Sequence, residues 1–247
     1  MSPAPLQHIL FLDIETVPQF PSYESLPDGW KNLWDTKSNS LMRYHEGESN
    51  ESLYPRAAIY AEFGKIVCIS CGVLLGQGSN RRILLKSFYG DQEKILLKEF
   101  VEMLEKWADG EQRYLCAHNG KEFDFPYICR RLLINGMTIP SILNIAGKKP
   151  WEVCHYDTME LWKFGDFKNY TSLNLLSQSL GIASPKDDID GSMVWQLYWS
   201  GITPEEKDIN LKRIVAYCQK DVTAVAQVFL RMHGESMIEE ENIQVKL

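Results

Sequence analysis

The chain has 247 residues, 45% of them hydrophobic and 24% charged, the balance of a folded globular protein. Its 26 basic and 33 acidic residues leave a formal net charge of −7, which excludes a uniformly basic, duplex-coating surface but not a local positive groove. No apolar run approaches the roughly 20 residues of a spanning helix. The opening MSPAPLQHI also lacks the charged start and apolar core of a signal peptide, so a soluble, cytoplasmic protein with no membrane partner is expected.

The first element is a strand, HILFL, running into Asp13-Ile14-Glu15. A long segment at about 18–60 follows, rich in turn formers yet carrying Trp30 and Trp34, and reads as a partly helical, packed insertion. GKIVCISCGVLL and RRILLKSFYG, joined by GQGSN, form an antiparallel hairpin. Within it Cys68 and Cys71 are three apart. On a strand that spacing puts them on opposite faces, where they pack as small apolar residues and cannot share a metal. Six cysteines in a chain of this size do not make a disulfide framework.

Asp91 is placed to cap a helix whose apolar residues Leu96, Phe100, Leu104 and Trp107 recur at helical spacing. RYLCAH is a short strand and PYICRRLLIN a helix ending at Asn135-Gly136. Residues 137–152 form a loop with Lys148 and Lys149, and EVCHYDT is the fifth strand. Short helices follow in SLNLLSQSLG and GSMVWQLYW. The last helix opens with Thr203 as N-cap, Pro204 at its first position and Glu206 closing a capping box, and runs to about Met232. The expectation is one α/β domain over 1–247, with a mixed five-stranded sheet flanked by helices.

Four acids stand out. In an extended chain Asp13 and Glu15 point to one side, although acids at strand ends also serve as plain turn residues. Two carboxylates that close repel unless a cation lies between them, and an all-oxygen site suits Mg²⁺ or Mn²⁺. Asp124 lies at the mouth of a helix, where it reads as a simple N-cap or, flanked by Phe123 and Phe125 and preceded by Asn119, as part of a site with aromatic surface for a base. Tyr217 and Asp221 are four apart on the last helix, interrupting an apolar stripe of Ile214, Val225, Val228 and Met232. They form either a polar pair at the rim of the core or a functional pair.

In this order, FLDIETVP, NGKEFDFPYI and YCQKDV resemble the three motifs of the DEDD-type 3′–5′ exonucleases of the ribonuclease H-like fold. The match is to the tyrosine-bearing branch, and within it to the proofreading exonuclease domains of family B DNA polymerases. AEFGKIVCIS resembles the second-strand segment of that branch, and the likeness runs from about residue 8 to 232. Position 217 holds Tyr, and His118 does not substitute for it.

The resemblance implies a ribonuclease H-like fold and a catalytic set of Asp13, Glu15, Asp124, Tyr217 and Asp221. The four acids would hold two divalent cations, Mg²⁺ or Mn²⁺: Asp13 bridging, Glu15 and Asp221 on one ion, and Asp124 on the other through water. Tyr217 would orient the attacking water, and nucleoside 5′-monophosphates would leave the 3′ end of single-stranded nucleic acid, DNA favoured. Thr16, Asn119, Phe123 and Phe125 are the expected substrate contacts. Arg130, Arg131, Lys148, Lys149, Lys163 and Lys168 are candidates for phosphate. No polymerase region follows, so a separate polymerase or repair protein is an expected partner. Two rival readings are a catalytically silent nucleic-acid-binding module and a protein using CISC for zinc or redox control.

Overall fold

The structure, a computed structural model, describes residues 4–45, 47–166, 170–182 and 189–246. Its centre is a mixed six-stranded sheet in the order β5-β4-β1-β2-β3-β6. The strands are β1 (Ile9–Pro18), β2 (Gly64–Leu75), β3 (Arg82–Tyr89), β4 (Tyr114–Ala117), β5 (Tyr156–Asp157) and β6 (Ile243–Val245). β1, β2 and β3 run antiparallel in turn, while β4 joins β1, β5 joins β4 and β6 joins β3 in parallel. The sequence pattern predicts five strands. The sixth is only IQV near the C-terminus, too short for a period of two to be seen.

Among the described residues seven α-helices accompany the sheet: α1 (Asp28–Leu41), α2 (Glu93–Ala108), α3 (Asp124–Ile134), α4 (Thr158–Lys163), α5 (Leu173–Ser179), α6 (Val194–Ser200) and α7 (Pro204–Met232). Alternation along β1 decides which helix meets which face. Leu10, Leu12 and Ile14 pack with Leu96, Phe100 and Leu104 of α2 and with Phe125, Ile128 and Leu132 of α3. Ile9 and Phe11 face Val222, Val225 and Phe229 of α7. Further along the same face, Val17 meets Ile214 and Cys218 of α7 and Val194 and Tyr198 of α6. Each such side chain contributes about 1.5–3 kcal/mol by leaving water. Asp13 and Glu15 occupy the gap between these two apolar patches.

α7 starts as its sequence dictates. The Thr203 hydroxyl accepts from Glu206 N (3.2 Å), and the Glu206 carboxylate accepts from Thr203 N (3.1 Å). α2 does not. Its N-cap is Gln92, without a side-chain bond, and Asp91 instead accepts the Tyr198 hydroxyl at 2.7 Å, tying β3's end to α6. Cys68 faces α7 and Cys71 faces α2, on opposite sides of β2.

The segment after β1 holds α1 and an aromatic cluster of its own. Trp34 is fully buried against Tyr54 and Phe63, with ring centroids 5.6 and 5.3 Å away, and its Nε1 donates to Asn50 O at 2.8 Å. The cluster is tied to α3, whose Tyr127 hydroxyl donates to Ala58 O (2.8 Å) and whose Arg131 Nη1 donates to Ala61 O (2.7 Å). No helix among the described residues is long and apolar enough to cross a membrane.

Candidate active site

Three elements meet over the gap in the core. β1 supplies Asp13 and Glu15 on its α7-facing side, and the ladder is irregular there. Glu15 pairs with Cys68 but Thr16 with Ile66, so β2 carries one extra residue, Val67. Such a bulge bends and twists a strand and re-aims its side chains. α7 supplies Tyr217, Cys218 and Asp221. The Cys218 thiol lies 3.4 Å from both Asp13 O and Asp13 Oδ2. One donor atom each from Asp13, Glu15 and Cys218 lies within 4.8 Å of the other two. The Tyr217 hydroxyl donates to the Asp221 carboxylate.

The third element is the start of α3. Asp124 is buried there, but it is not a plain N-cap. Phe123 holds the cap position without a side-chain bond, and Asp124 is the first helical residue. Its carboxylate accepts from the Ile14 N–H of β1, and its Oδ1 has no hydrogen-bond partner among the described residues.

These groups feel one another. Burial, then Asp221 and Asp124, hold Asp13 well above the usual carboxylate range. Burial, then Asp13 and Asp221, do the same to Glu15. Asp124 is pushed up to about 7, mainly by burial and then by Asp157 and Asp221, against the pull of backbone N–H groups. The Tyr217 phenol is raised by burial, then by Asp221, Glu15 and Asp13. Crowded buried carboxylates with an unpartnered oxygen, and donors that are mostly oxygen, fit a hard divalent cation.

The loop leading to α3 is held from β5. Asn119 adopts a left-handed φ of 63°, a conformation that Asn tolerates better than most residues. Its N–H donates to Asp157 Oδ1 (2.9 Å), and Lys121 N donates to Asp157 Oδ2 (3.1 Å). Asp157 Oδ1 also caps α4, accepting from Met159 N (3.0 Å) and Glu160 N (3.2 Å). A Cβ on Gly120 would lie 2.4 Å from Ala117 Cβ, so only glycine lets the loop fold back this closely. The Asn119 Oδ1 is buried and, among the described residues, unpartnered.

Asp13, Glu15, Asp124, Tyr217 and Asp221 thus share one site, with Asn119 on the loop leading to Asp124. Thr16 is half-buried and bonded to the Tyr127 hydroxyl, and Phe123 is half-buried with its ring 5.3 Å from that of Tyr127. Phe125 corrects the expectation of an exposed aromatic. It is fully buried against His155, 5.3 Å between rings, because positions 125, 128 and 132 form the stripe of α3 that faces the sheet. Arg131 is corrected too. Buried, it gives Nε to Glu93 Oε1 (2.8 Å) and Nη2 to Glu93 Oε2 (2.5 Å), which leaves it unavailable to phosphate. Arg130, Lys148 and Lys149 are exposed, Lys163 is half-buried, and Lys168 lies outside the described residues. His118 is structural, its ring bonded to Thr158 Oγ1 (2.9 Å) and Thr171 O (2.8 Å).

Two members of the site are absent from the sequence expectation. Asp157 ends a strand just before a helix, a pattern that signals a cap but not the loop it holds. Cys218 lies inside the YCQKD motif, three residues from Asp221 and therefore on nearly the same helix face.

The sheet order and the site between β1, α3 and α7 define a ribonuclease H-like fold of the polymerase-exonuclease kind. A family B DNA polymerase from the hyperthermophilic archaeon Pyrobaculum calidifontis is similar to 92% of this chain, at a TM-score of 0.50 and 16% identity. The match takes in 25% of the polymerase, so the chain spans about a quarter of that protein's length. Residues 59–246 match the family described as "Predicted 3'-5' exonuclease related to the exonuclease domain of PolB", and the chain belongs to that family. The match starts behind β1, so Asp13 and Glu15 lie outside it. No curated protein matches the sequence.

Proposed function

We propose that the chain hydrolyses single-stranded nucleic acid from its 3′ end, DNA favoured, releasing nucleoside 5′-monophosphates with the help of two divalent cations, Mg²⁺ or Mn²⁺. The observation that carries this reading is the convergence of Asp13, Glu15, Asp124 and Asp221, in which Asp221 and Asp124 raise the proton affinity of Asp13, Asp13, Asp221 and Asp124 raise that of Glu15, and Asp221 raises that of Asp124. Those four carboxylates would hold the ions. A cation pair supplies a more acidic water and positive charge against the attacking and leaving oxygens.

The remaining work falls to the chain. Burial beside three carboxylates keeps Tyr217 protonated, so its hydroxyl acts as a hydrogen-bond donor and positioning group, not as a base. Asp221, accepting from that hydroxyl, fixes the direction of the phenol. Thr16, Asn119 and Phe123 border the acids and are the proposed contacts of the terminal nucleotide. Residues 1–247 are read as a single exonuclease domain, and 18–60 as an insertion in it. A cytoplasmic location and action beside a separate polymerase or repair protein complete the proposal.

The test is digestion of 5′-labelled single-stranded DNA and RNA of one sequence with Mg²⁺ or Mn²⁺. A ladder descending from the 3′ terminus is expected, abolished by chelator and by Asp13→Ala. Internal cuts, or equal release by the wild type and Asp13→Ala, would overturn the proposal. Binding without cleavage would favour a silent nucleic-acid-binding module.

A further inference from the structure

The carboxylates have one neighbour of different chemistry. Cys218 is fully buried, its sulphur is 3.4 Å from Asp13 Oδ2, and a Glu15 donor completes a triangle no wider than 4.8 Å. A tetrahedral zinc with Zn–S of about 2.3 Å and Zn–O of about 2.0–2.2 Å sets sulphur and oxygen about 3.6 Å apart. The Cys218–Asp13 pair already has nearly that spacing. Asp124, 3% exposed and with an Oδ1 unpartnered among the described residues, lies close enough to raise the proton affinity of Asp13 and Glu15. A second thiol, Cys68, is in hydrogen-bond contact with Cys218. The other cysteines are elsewhere, Cys71 on the opposite face of β2, Cys116 on β4, Cys129 half-buried on α3 and Cys154 exposed.

Resting on the reading of the acids as a cation site, we propose that Cys218 makes this site thiophilic. Zn²⁺ or Cd²⁺ binds through the Asp13 and Glu15 carboxylates and the Cys218 sulphur, whose proton passes to solvent. Hard Mg²⁺ gains little from sulphur, whereas softer ions gain much. Zinc is therefore held more tightly than Mg²⁺ and displaces it, inhibiting the nuclease.

The test uses the full chain carrying Cys154→Ser, with and without Cys218→Ser. Calorimetric titration should show Zn²⁺ and Cd²⁺ affinity falling on the order of 10–100-fold in Cys218→Ser while Mn²⁺ affinity moves less than about twofold. The thiolate-to-cadmium charge-transfer absorption should be lost with it. X-ray absorption of the zinc-loaded chain with Cys218 intact needs no buried substitution and should find sulphur bound to zinc. A zinc shell of oxygen and nitrogen alone, or equal Zn²⁺ affinity in both proteins, overturns the role of Cys218 and leaves the acid site standing if Mn²⁺ still binds. Failure to bind any divalent ion overturns both readings.

Discussion

Asp157 is not one of the four clustered acids, yet the loop before Asp124 is pinned by it. Its two oxygens accept from four backbone N–H groups, including that of the left-handed Asn119. Removing the carboxylate leaves those donors short of partners and frees the loop, and a displacement near 1 Å in such a site costs on the order of 100-fold in rate. Asp157→Ala should therefore lower kcat by about that factor. Asp157→Asn, which keeps the acceptor that Asn119, Met159 and Glu160 share, should recover part of the loss. Steady-state kinetics of the two variants decide the point, and an unchanged kcat in Asp157→Ala would discard the positioning role. Asp13, Glu15, Tyr217 and Asp221 were legible as D-x-E and Y-x-x-x-D spacings, and Asp124 as the acid at a helix mouth in NGKEFDFPYI. Asp157 and Cys218 were not, because their roles arise from contacts 38 and 205 residues away in sequence.

The helices that carry the site are only as well placed as their anchors. Glu93 at the start of α2 accepts from Ile66 N (2.7 Å) as well as from Arg131 and from Asn135 Nδ2 (2.9 Å), joining β2, α2 and α3 around one buried charge. Breaking such a pair strands an ion in the core and costs roughly 3–5 kcal/mol. Arg131→Met should lower unfolding stability by about that amount, and Glu93→Leu added to it should restore much of the loss. Urea melts of the three proteins, with unchanged slopes, provide the check. Helical periodicity made α2, α3 and α7 readable, since their apolar stripes are long. It could not tell that Asp91 ties to Tyr198 instead of capping, nor that Phe125 falls on the inward stripe, because both depend on which face the sheet occupies.

Over the whole molecule the acid cluster makes stability depend on pH and on ions. Asp124 in the folded chain titrates near 7 against an ordinary value of 3.8, and Asp13 and Glu15 shift the same way. The metal-free folded state therefore binds more protons than the unfolded state between the ordinary carboxylate range and about 7. The contribution of these groups to stability is greatest below that window and falls as pH rises through it. In chelator, the melting temperature should drop from pH 5 to pH 8, and Asp124→Asn should flatten the drop. Mg²⁺ at 100 times its dissociation constant should add about 2.7 kcal/mol at the upper pH. A pH profile that Asp124→Asn leaves unaltered would count against a crowded, cation-seeking cluster.

The length of α7 carries one more consequence. Its side chains become fully buried only from Ile214 onward, so Pro204 to Arg213, about three turns, are held more lightly, by the Thr203 box, by Asn210 Nδ2 donating to Leu197 O (2.9 Å) and by the half-buried Leu211 packed with Val194 and Tyr198 of α6. Unzipping from that end halts before it reaches the turn bearing Tyr217 and Asp221. Amide protons at 207–213 should trade with deuterium early, while those from 218 to 230 hold until the entire fold opens.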